Sequence, residues 1–530
     1  MQISSQVSKL AILRQRKDRT ERWIAIFQKV ENRFPWIRLA ILVTGLLCIL
    51  VAFQLLSFLL IWLAVILALL IFAIAAFQHN RLVEQIKRLK GFLHLLETHI
   101  ARLELDWDHI PSPSDIQVPI EHPFGSDLNV TGSRSLHQLL DTSISLGGSH
   151  RLASWLLQSV PDPDAARKRQ NLVQDLLPST SFRTQLELSG MLAKPDSKDR
   201  WDATTLQHWL EKSSEAASLR PLLITLGIFA LANMTLYGLN ALGLIPPIWI
   251  GTIVIYLGLQ SFKYRESSEV FNQAYELGRQ LGQLRPILAE LETYPYAQGS
   301  LLEKITLPIT QSSQRPSTAL RQISQIISAA SLRNNPFLVL ILNLLVPWDI
   351  FFVYQLERYK LTLREKLPIW LETWYELEGL VSVANYAALH PENSFPIILP
   401  YDACPILELK EAGHPLIPAK DRVANNFTIQ QLGEIVLVTG SNMSGKSTFL
   451  RTVGVNLILT FVGSPVPAQK IRCVPFRLYT SMNMNDSLND GISFFYAEVR
   501  RLKALLDGLE SDDPSPLLFL IDEIFRGTNN

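Results

Sequence analysis

Residues 440–448 read GSNMSGKST, a stretch whose residue types and spacing suit the binding of phosphate. It satisfies G-x-x-x-x-G-K-[ST], in which the glycines let successive backbone N–H groups curve around phosphate oxygens. Residues 433–439 have the composition of a buried strand, and the residues from Phe449 onward read as a helix whose N-terminus adds partial positive charge. The predicted nucleotide-binding residues are Gly440, Ser441, Asn442, Met443, Ser444, Gly445, Lys446, Ser447 and Thr448.

A second apolar run, residues 517–521, ends in the adjacent carboxylates Asp522 and Glu523. Lys446 would reach the β and γ phosphate oxygens, and Ser447 and Asp522 would hold Mg²⁺, the latter through water. Glu523 would polarise the attacking water as a general base. Together the two motifs predict an enzyme that binds ATP with Mg²⁺ and hydrolyses ATP, with Lys446 and Glu523 as catalytic residues.

Several stretches resemble the MutS family of DNA mismatch-repair ATPases. TGSNMSGKST looks like the family's TG-x-NM-x-GKST loop, VGSPVPAQK resembles its G-x-VPA segment, and IDEIFRGTNN resembles its DE-x-x-RGT motif. Residues 486–494 resemble the family's signature region, in which a serine reaches the γ-phosphate bound by the other subunit. Ser493 is the matching position, so the resemblance implies a third catalytic residue and a head-to-tail homodimer.

The resemblance extends upstream, with departures. His414 and Pro415 are similar to a short motif before the family's nucleotide domain, and residues 135–156 look like the start of its helical core. The family's mismatch-reading Phe-x-Glu motif does not occur in this sequence. The chain ends at Asn530, where the family continues with further strands, so we expect an incomplete ATPase domain with weak activity of its own.

Two long runs, residues 39–77 and 221–262, carry no charged residue. One helix over the first run would be about 58 Å long, roughly twice the hydrocarbon thickness of a bilayer. Each run is therefore predicted to form a transmembrane hairpin, and buried core helices or a cleaved signal peptide are the alternatives. The turns are expected at Gln54 and Ser57 in the first run and at the cluster Asn240, Gly243, Pro246 and Pro247 in the second.

Basic residues flank both runs, whereas the turns between the predicted spans carry none. This asymmetry predicts a multi-pass membrane protein whose soluble domains lie in the cytoplasm. The basic residues before position 39 could instead bind DNA or anionic lipid. The formal net charge of +1 gives no general attraction to nucleic acid, and three scattered cysteines predict neither disulfides nor a zinc site.

Apolar residues recur at steps of three and four over residues 82–103 and again over 270–291, which predicts two helical stalks, the second kinked at Pro286. Residues 337–346 are apolar but short and are predicted to form a buried core helix. Residues 350–389 read as helical, with interruptions at Pro368 and Gly379.

The predicted fold class is mixed: transmembrane helical hairpins, all-α MutS-like core and lever helices, and an α/β P-loop ATPase domain of the ABC type. The predicted domains are a basic cytoplasmic arm (1–38), a first transmembrane hairpin (39–77), a stalk (78–107), a helical core (108–218), a second hairpin (219–262), long helices (263–396) and the ATPase domain (397–530).

The leading hypothesis is a membrane-anchored, MutS-like ATPase dimer in which ATP binding and hydrolysis drive conformational change. The sequence leaves open whether this dimer binds DNA, including mismatched DNA in DNA repair. Two alternatives also remain: an ABC-like transport ATPase, and a membrane tether that binds ATP without DNA. The spans carry few polar residues and no L-S-G-G-Q signature is present, which disfavours the transporter.

Overall fold

The computed structural model describes residues 2–54, 58–119, 121–193, 200–211, 216–262, 264–311, 315–330, 336–441, 444–482, 494–510 and 513–522. These residues are mostly helical and contain two small sheets. The chain divides into two compact units. Unit 1 comprises Met1–Asp141, Ala153–Gln170 and Val383–Asn530, and unit 2 comprises Thr142–Leu152 and Asn171–Ser382. The seven predicted domains stay a prediction.

The described helices are numbered in chain order. They are α1 (Gln2–Glu31), α2 (Phe34–Gln54), α3 (Phe58–Glu104), α4 (Leu136–Leu140), α5 (Leu146–Leu156), α6 (Pro163–Leu176), α7 (Thr180–Ala193), α8 (Thr204–Glu211), α9 (Ala216–Ala241), α10 (Trp249–Phe262), α11 (Tyr264–Thr293), α12 (Leu301–Thr310), α13 (Pro316–Ala330), α14 (Pro336–Leu345), α15 (Trp348–Leu389), α16 (Lys446–Val462) and α17 (Phe494–Leu509). The strands are β1 (Ile397–Ile398), β2 (Leu407–Ala412), β3 (Asn425–Ile429), β4 (Lys470–Cys473), β5 (Arg477–Ser481) and β6 (Leu517–Ile521).

In unit 1, α2 and α3 form an antiparallel hairpin. α2 ends at Gln54 and α3 begins at Phe58, so the helix ends agree with the predicted turn, whereas Ser57 itself lies outside the described residues. Near the base, the ring of Phe34 stacks on that of His79, with 4.9 Å between centroids. Halfway along, a Cβ added at Gly45 would lie 3.0 Å from the Cβ of Ala68. This small pair lets the two helices approach closely, as is common between membrane helices.

The predicted basic arm is the helix α1, which packs along the polar half of α3. Arg14 and Glu104 pair at 2.5 Å, and Lys17 and Glu97 pair at 3.0 Å. Buried leucines of both helices, including Leu13, share one hydrophobic cluster. Two of the basic side chains before the first apolar run therefore have acidic partners on α3.

The apolar half of the α2–α3 hairpin faces outward. Its exposed large residues include Leu46, Phe53, Leu59 and Ile66. Within the described residues, three helices are long and apolar enough to cross a membrane: Gln6–Val51, Ile61–Glu104 and Ser218–Ala241. A fourth candidate is the bent pair Phe337–Leu345 and Trp348–Leu389.

In unit 2, α9 and α10 form the second hairpin, and its turn lies where the breaker cluster predicts it. Asn240 closes the turn, because its amide nitrogen donates to the Ile245 carbonyl (2.9 Å) and its amide oxygen accepts from the Trp249 indole (3.3 Å). Gly243 adopts φ of 73° in the turn. α10 has 14 residues, so its length of about 21 Å is less than a bilayer requires.

Two predictions about the helices after this hairpin are wrong. Residues 337–346 are not a buried core helix, because Leu340 and Ile341 of α14 are exposed and the chain bends by 83° between α14 and α15. Residues 350–389 are not interrupted at Pro368 or Gly379, since α15 is one helix of 42 residues. The side chains around Pro368, such as those of Leu367 and Trp370, are buried, and their packing offsets the backbone hydrogen bond that proline removes.

The sheets belong to unit 1. One has the strand order β1-β4-β2-β3, with β1 and β4 parallel and the other pairs antiparallel. The other is a parallel pair, β5 and β6, in the register Arg477↔Leu517 to Ser481↔Ile521. In the chain, α17 lies between these two strands, so the unit is β–α–β, the repeating element of α/β folds.

The strand predicted at residues 433–439 is not formed. Ile435 and Leu437 are 86% and 83% exposed, and neither described sheet extends to them. A strand needs neighbours for its backbone hydrogen bonds, and the described parallel pair does not reach this segment. The predicted α/β ATPase fold is therefore represented, in the described residues, by a β–α–β unit and a separate loop and helix.

Candidate functional site

The phosphate-loop residues lead directly into α16. Gly445 precedes the helix with φ of 90°, a left-handed conformation that glycine adopts without strain. No side chain caps this N-terminus, and the first turn carries no acidic residue. The first backbone N–H groups of a helix have no internal partner and carry partial positive charge, so this end of α16 suits an anion.

Lys446 lies across the loop. Its ammonium group donates to the carbonyl oxygens of Gly440 (2.8 Å) and Ser441 (2.9 Å). A Cβ at Gly440 would stand 2.9 Å from the Ser444 hydroxyl, so a larger residue would crowd the loop. The arrangement holds a positive charge at the N-terminus of α16, where phosphate oxygens would be bound.

The other predicted loop residues divide into two groups. Ser447 and Thr448 lie in the first turn of α16 and are exposed. Asn442 and Met443 lie outside the described residues.

The helix that carries the loop is firmly held in unit 1. Leu457 and Leu459 are fully buried, and Asn456 donates from its buried amide to the Gly413 carbonyl at 3.1 Å. At the other end, Gly463 caps α16 with φ of 87°, and a Cβ there would lie 2.7 Å from the Ala166 carbonyl oxygen. The packing of α16 fixes the position of its N-terminus at Lys446, where the loop ends.

Asp522 follows β6 at one edge of the parallel pair. Its backbone N–H donates to the Ser481 carbonyl at the end of β5, at 2.9 Å. Because parallel strands end at the same edge, the acidic motif and the segment that leads to the signature region start side by side. Glu523 and Ser493 themselves lie outside the described residues. The catalytic roles of these two residues stay predictions.

Asp127 holds this edge together, although no sequence motif indicates a role for it. Asp127 is 1% exposed, and its carboxylate accepts from the Thr480 hydroxyl (2.9 Å) and from the Met482 backbone N–H (3.1 Å). The guanidinium of Arg501 on α17 donates to the same carboxylate. Asp127 occurs in an irregular segment with neither helical nor strand periodicity, so only the three-dimensional contact identifies it.

His414 follows Gly413, whose carbonyl accepts a hydrogen bond from Asn456 of α16. The side chain is buried, and its Nδ1 accepts from the Leu416 backbone N–H at 3.2 Å. Burial, with smaller contributions from the positive charges of Arg422 and Arg451, lowers the pKa of His414 to about 4. His414 is therefore neutral at physiological pH and supports the turn before β3, which favours a packing role over contact with nucleotide.

Among the described residues, no group of three or more histidine, cysteine, aspartate or glutamate side chains could hold a metal ion. A protein cage for a metal is thus not seen in this part of the chain. Mg²⁺ commonly enters phosphate sites with the nucleotide and takes only one or two protein oxygens, so the predicted metal roles of Ser447 and Asp522 stay predictions. A glycine-capped helix, a lysine over the loop and a carboxylate at a strand end are the parts used by the class of phosphate-binding loop-and-helix proteins.

Comparison with known proteins gives the particular family. Residues 436–530 match the family model of MutS domain V. The chain is 35% identical over 170 residues to the DNA mismatch repair protein Msh6 of Gallus gallus, which covers 29% of this chain and 12% of that protein. It is 39% identical over 126 residues to the DNA mismatch repair protein MutS of Thermotoga petrophila, with 23% and 15% covered.

A third relative carries a different name. The chain is 37% identical over 123 residues to the endonuclease MutS2 of Thermus thermophilus, which covers 23% of this chain and 16% of that protein. The chain thus spans less than a fifth of the length of these relatives. By these matches, residues 436–530 of the chain are similar to MutS domain V. This confirms the predicted resemblance at the level of the family.

Proposed function

We propose that this chain is a membrane-anchored, MutS-like ATPase. The observation that carries the proposal is the glycine-capped N-terminus of α16 with Lys446 folded over the loop, within a segment that matches MutS domain V. The backbone N–H groups of the loop and Lys446 would hold the phosphates of ATP, and Ser447 and Asp522 would hold Mg²⁺, which neutralises phosphate charge when bound. Glu523 would take the proton of the attacking water.

The proposed active form is a head-to-tail dimer. Ser493 of one chain would contact the γ-phosphate held by residues 440–448 of the other, so that ATP closes the two domains and hydrolysis reopens them. Support comes from the shared edge of β5 and β6, because the segment that contains Ser493 and the acidic motif both begin there. DNA, the substrate class named in two of the relatives, is the proposed partner of this dimer.

Membrane anchoring rests on different features of the chain. The α2–α3 hairpin exposes leucine, isoleucine and phenylalanine along its length, and α9 adds a further long apolar helix. An exposed apolar surface of this extent is stable in lipid and aggregates in water. The basic residues that flank the hairpins support a cytoplasmic location for the ATPase domain.

Nucleotide binding tests the ATPase part. In the full-length protein in detergent, Lys446→Ala should weaken binding of a fluorescent ATP analogue by roughly 10- to 100-fold, since hydrogen bonds to charged groups contribute about 1.5–3 kcal/mol. Lys304→Ala, an exposed residue of unit 2, is the matched control and should bind as the wild type. Equal affinity for the Lys446→Ala and Lys304→Ala proteins would refute the assigned site.

Hydrolysis tests the dimer. Ser493→Ala should keep ATP binding and lose most turnover, and a wild-type rate in that variant would remove the support for catalysis across an interface. The rate is then measured with and without duplex DNA at several salt concentrations. Stimulation that declines steeply with salt identifies a DNA-dependent enzyme. ATP binding with a hydrolysis rate that does not respond to DNA would favour the alternative of a membrane tether that binds ATP without DNA.

A further inference from the structure

We propose that α14 enters the membrane beside the second hairpin and returns to the same side, as a third lipid-inserted element that does not cross the bilayer. The partner of its exposed surface is the acyl-chain region of the lipid. The inference rests on the proposed membrane anchoring and extends it to a segment whose sequence predicts a buried core helix.

The composition and exposure of α14 suit lipid. Its sequence, PFLVLILNLL, has Asn343 as its one polar side chain. Leu340 is 64% exposed and Ile341 is 54% exposed. With ten residues, α14 is about 15 Å long, half of the roughly 30 Å of hydrocarbon that a spanning helix must cross.

The helices on either side of α14 lie next to each other. Gln325 and Ile326 of α13 and Phe352, Gln355 and Tyr359 of α15 line one cavity of about 300 Å³. Because the chain leaves α13 and comes back into α15 at a shared cavity, both flanks of α14 are on one side. An apolar helix with both flanks on one side can enter a membrane only as a re-entrant segment.

At the break between α14 and α15, the backbone carbonyl that loses its helical partner has other hydrogen-bond donors, as a position in lipid requires. Pro347 has no N–H, so the carbonyl of Asn343, four residues earlier, loses its helical donor. Two side chains of α10 replace that donor: the Tyr256 hydroxyl donates to this carbonyl at 2.9 Å and the Gln260 amide at 3.1 Å. Unsatisfied backbone groups are costly in hydrocarbon, where no water can bind them.

A backbone N–H group at the start of α15 also has a hydrogen-bond partner nearby. The side-chain oxygen of Asn343 accepts from the Asp349 backbone N–H at 3.0 Å. Ile350 packs in one buried cluster with Leu226 and Ala230 of α9 and with Tyr256 of α10. The bend is thus built onto the second hairpin by polar and apolar contacts, and α14 adjoins a surface already proposed to lie in lipid.

Lipid-depth quenching of single-cysteine probes tests the inference. The background is full-length Cys48→Ala, Cys404→Ser protein, and the fully buried Cys473 is retained. A bimane probe is attached at Leu340→Cys, at Ile228→Cys on α9, or at Arg321→Cys on α13, in liposomes of phosphatidylcholine and phosphatidylglycerol. Ile228 is 64% exposed, as is Leu340, so the pair is matched in exposure.

The expected result is strong quenching of the Leu340 and Ile228 probes by acyl-brominated lipid, with weak quenching by aqueous iodide. The Arg321 probe should show the reverse. If iodide quenches the Leu340 probe while brominated lipid quenches the Ile228 probe, the membrane anchor stands and the re-entrant element is refuted. If iodide alone quenches both, the proposed membrane anchoring fails and the inference fails with it.

Discussion

Two apolar segments flank the phosphate loop and have opposite environments. Before the loop, Ile435 and Leu437 are almost fully exposed, whereas after it Leu457 and Leu459 of α16 are fully buried. A helix satisfies its backbone hydrogen bonds internally and needs only one packed surface, but a strand needs a neighbour at its edge. One side of the site is therefore completed by local structure, and the other depends on a pairing partner.

Core truncation gives the largest expected contrast between the two sides. Leu457→Ala should destabilise unit 1 by about 3 kcal/mol, because it leaves a cavity in a packed interior. Leu437→Ala should change stability by no more than about 0.5 kcal/mol, as an exposed substitution does. Urea unfolding of the full chain in detergent measures both. A large loss for Leu437→Ala would mean that residues 433–439 are packed.

Two glycines with nearly equal φ sharpen the contrast. Gly433 before the loop has φ of 82° with no atom within 4 Å of an added Cβ, and Gly463 after α16 has φ of 87° with the Ala166 carbonyl oxygen at 2.7 Å. Gly433→Ala should lose about 1 kcal/mol from backbone strain alone, and Gly463→Ala about 2 kcal/mol or more from strain and collision. The same unfolding assay compares them, and equal losses would contradict the packing described at Gly463.

A buried histidine close to the packed helix α16, His414, should make the stability of the protein depend on pH. His414 has a pKa of about 4 in the folded protein, below its ordinary value of 6.5. As the pH falls, His414 therefore binds a proton in the unfolded chain before it does so in the folded protein. The stabilisation is complete above pH 6.5 and declines as pH falls towards 4, by about 2 kcal/mol between pH 7 and pH 5. His414→Gln should flatten this slope between the two pH values, and an unchanged slope would exclude His414 as its source.

The smallest perturbation is amide hydrogen exchange in the unmodified protein. Amides 455–459 of α16 should exchange far more slowly than amides 435–437, since the former lie in a buried helix and the latter are in no described strand. Mg²⁺ with ATP should add protection at residues 445–449. Equal protection of both segments without nucleotide would show that residues 433–439 have found a partner strand.

The local chemistry of the sequence predicted the local structure well. The start of α16 follows the glycine and lysine pattern, and both hairpin turns lie at the predicted breakers, because these features depend on a few adjacent residues. The family was also correct, since the motifs in domain V are contiguous.

The failures involve contacts between distant residues. The continuation of α15 through Pro368 and the exposure of α14 depend on neighbouring residues that periodicity does not reveal. The pairing of residues 433–439 depends on other strands. Asp127 has no sequence pattern at all. Its importance comes from partners more than 350 positions away, at Thr480 and Met482.

That separation has a consequence for how the polypeptide matures. The loop that contains Asp127 is synthesised long before β5, yet it supplies the carboxylate that fixes the end of this strand. Contacts so remote along the chain form late, because a large loop must close first. During translation Asp127 must wait until β5 has been synthesised, and a fragment beginning at domain V would lack the carboxylate that completes that edge.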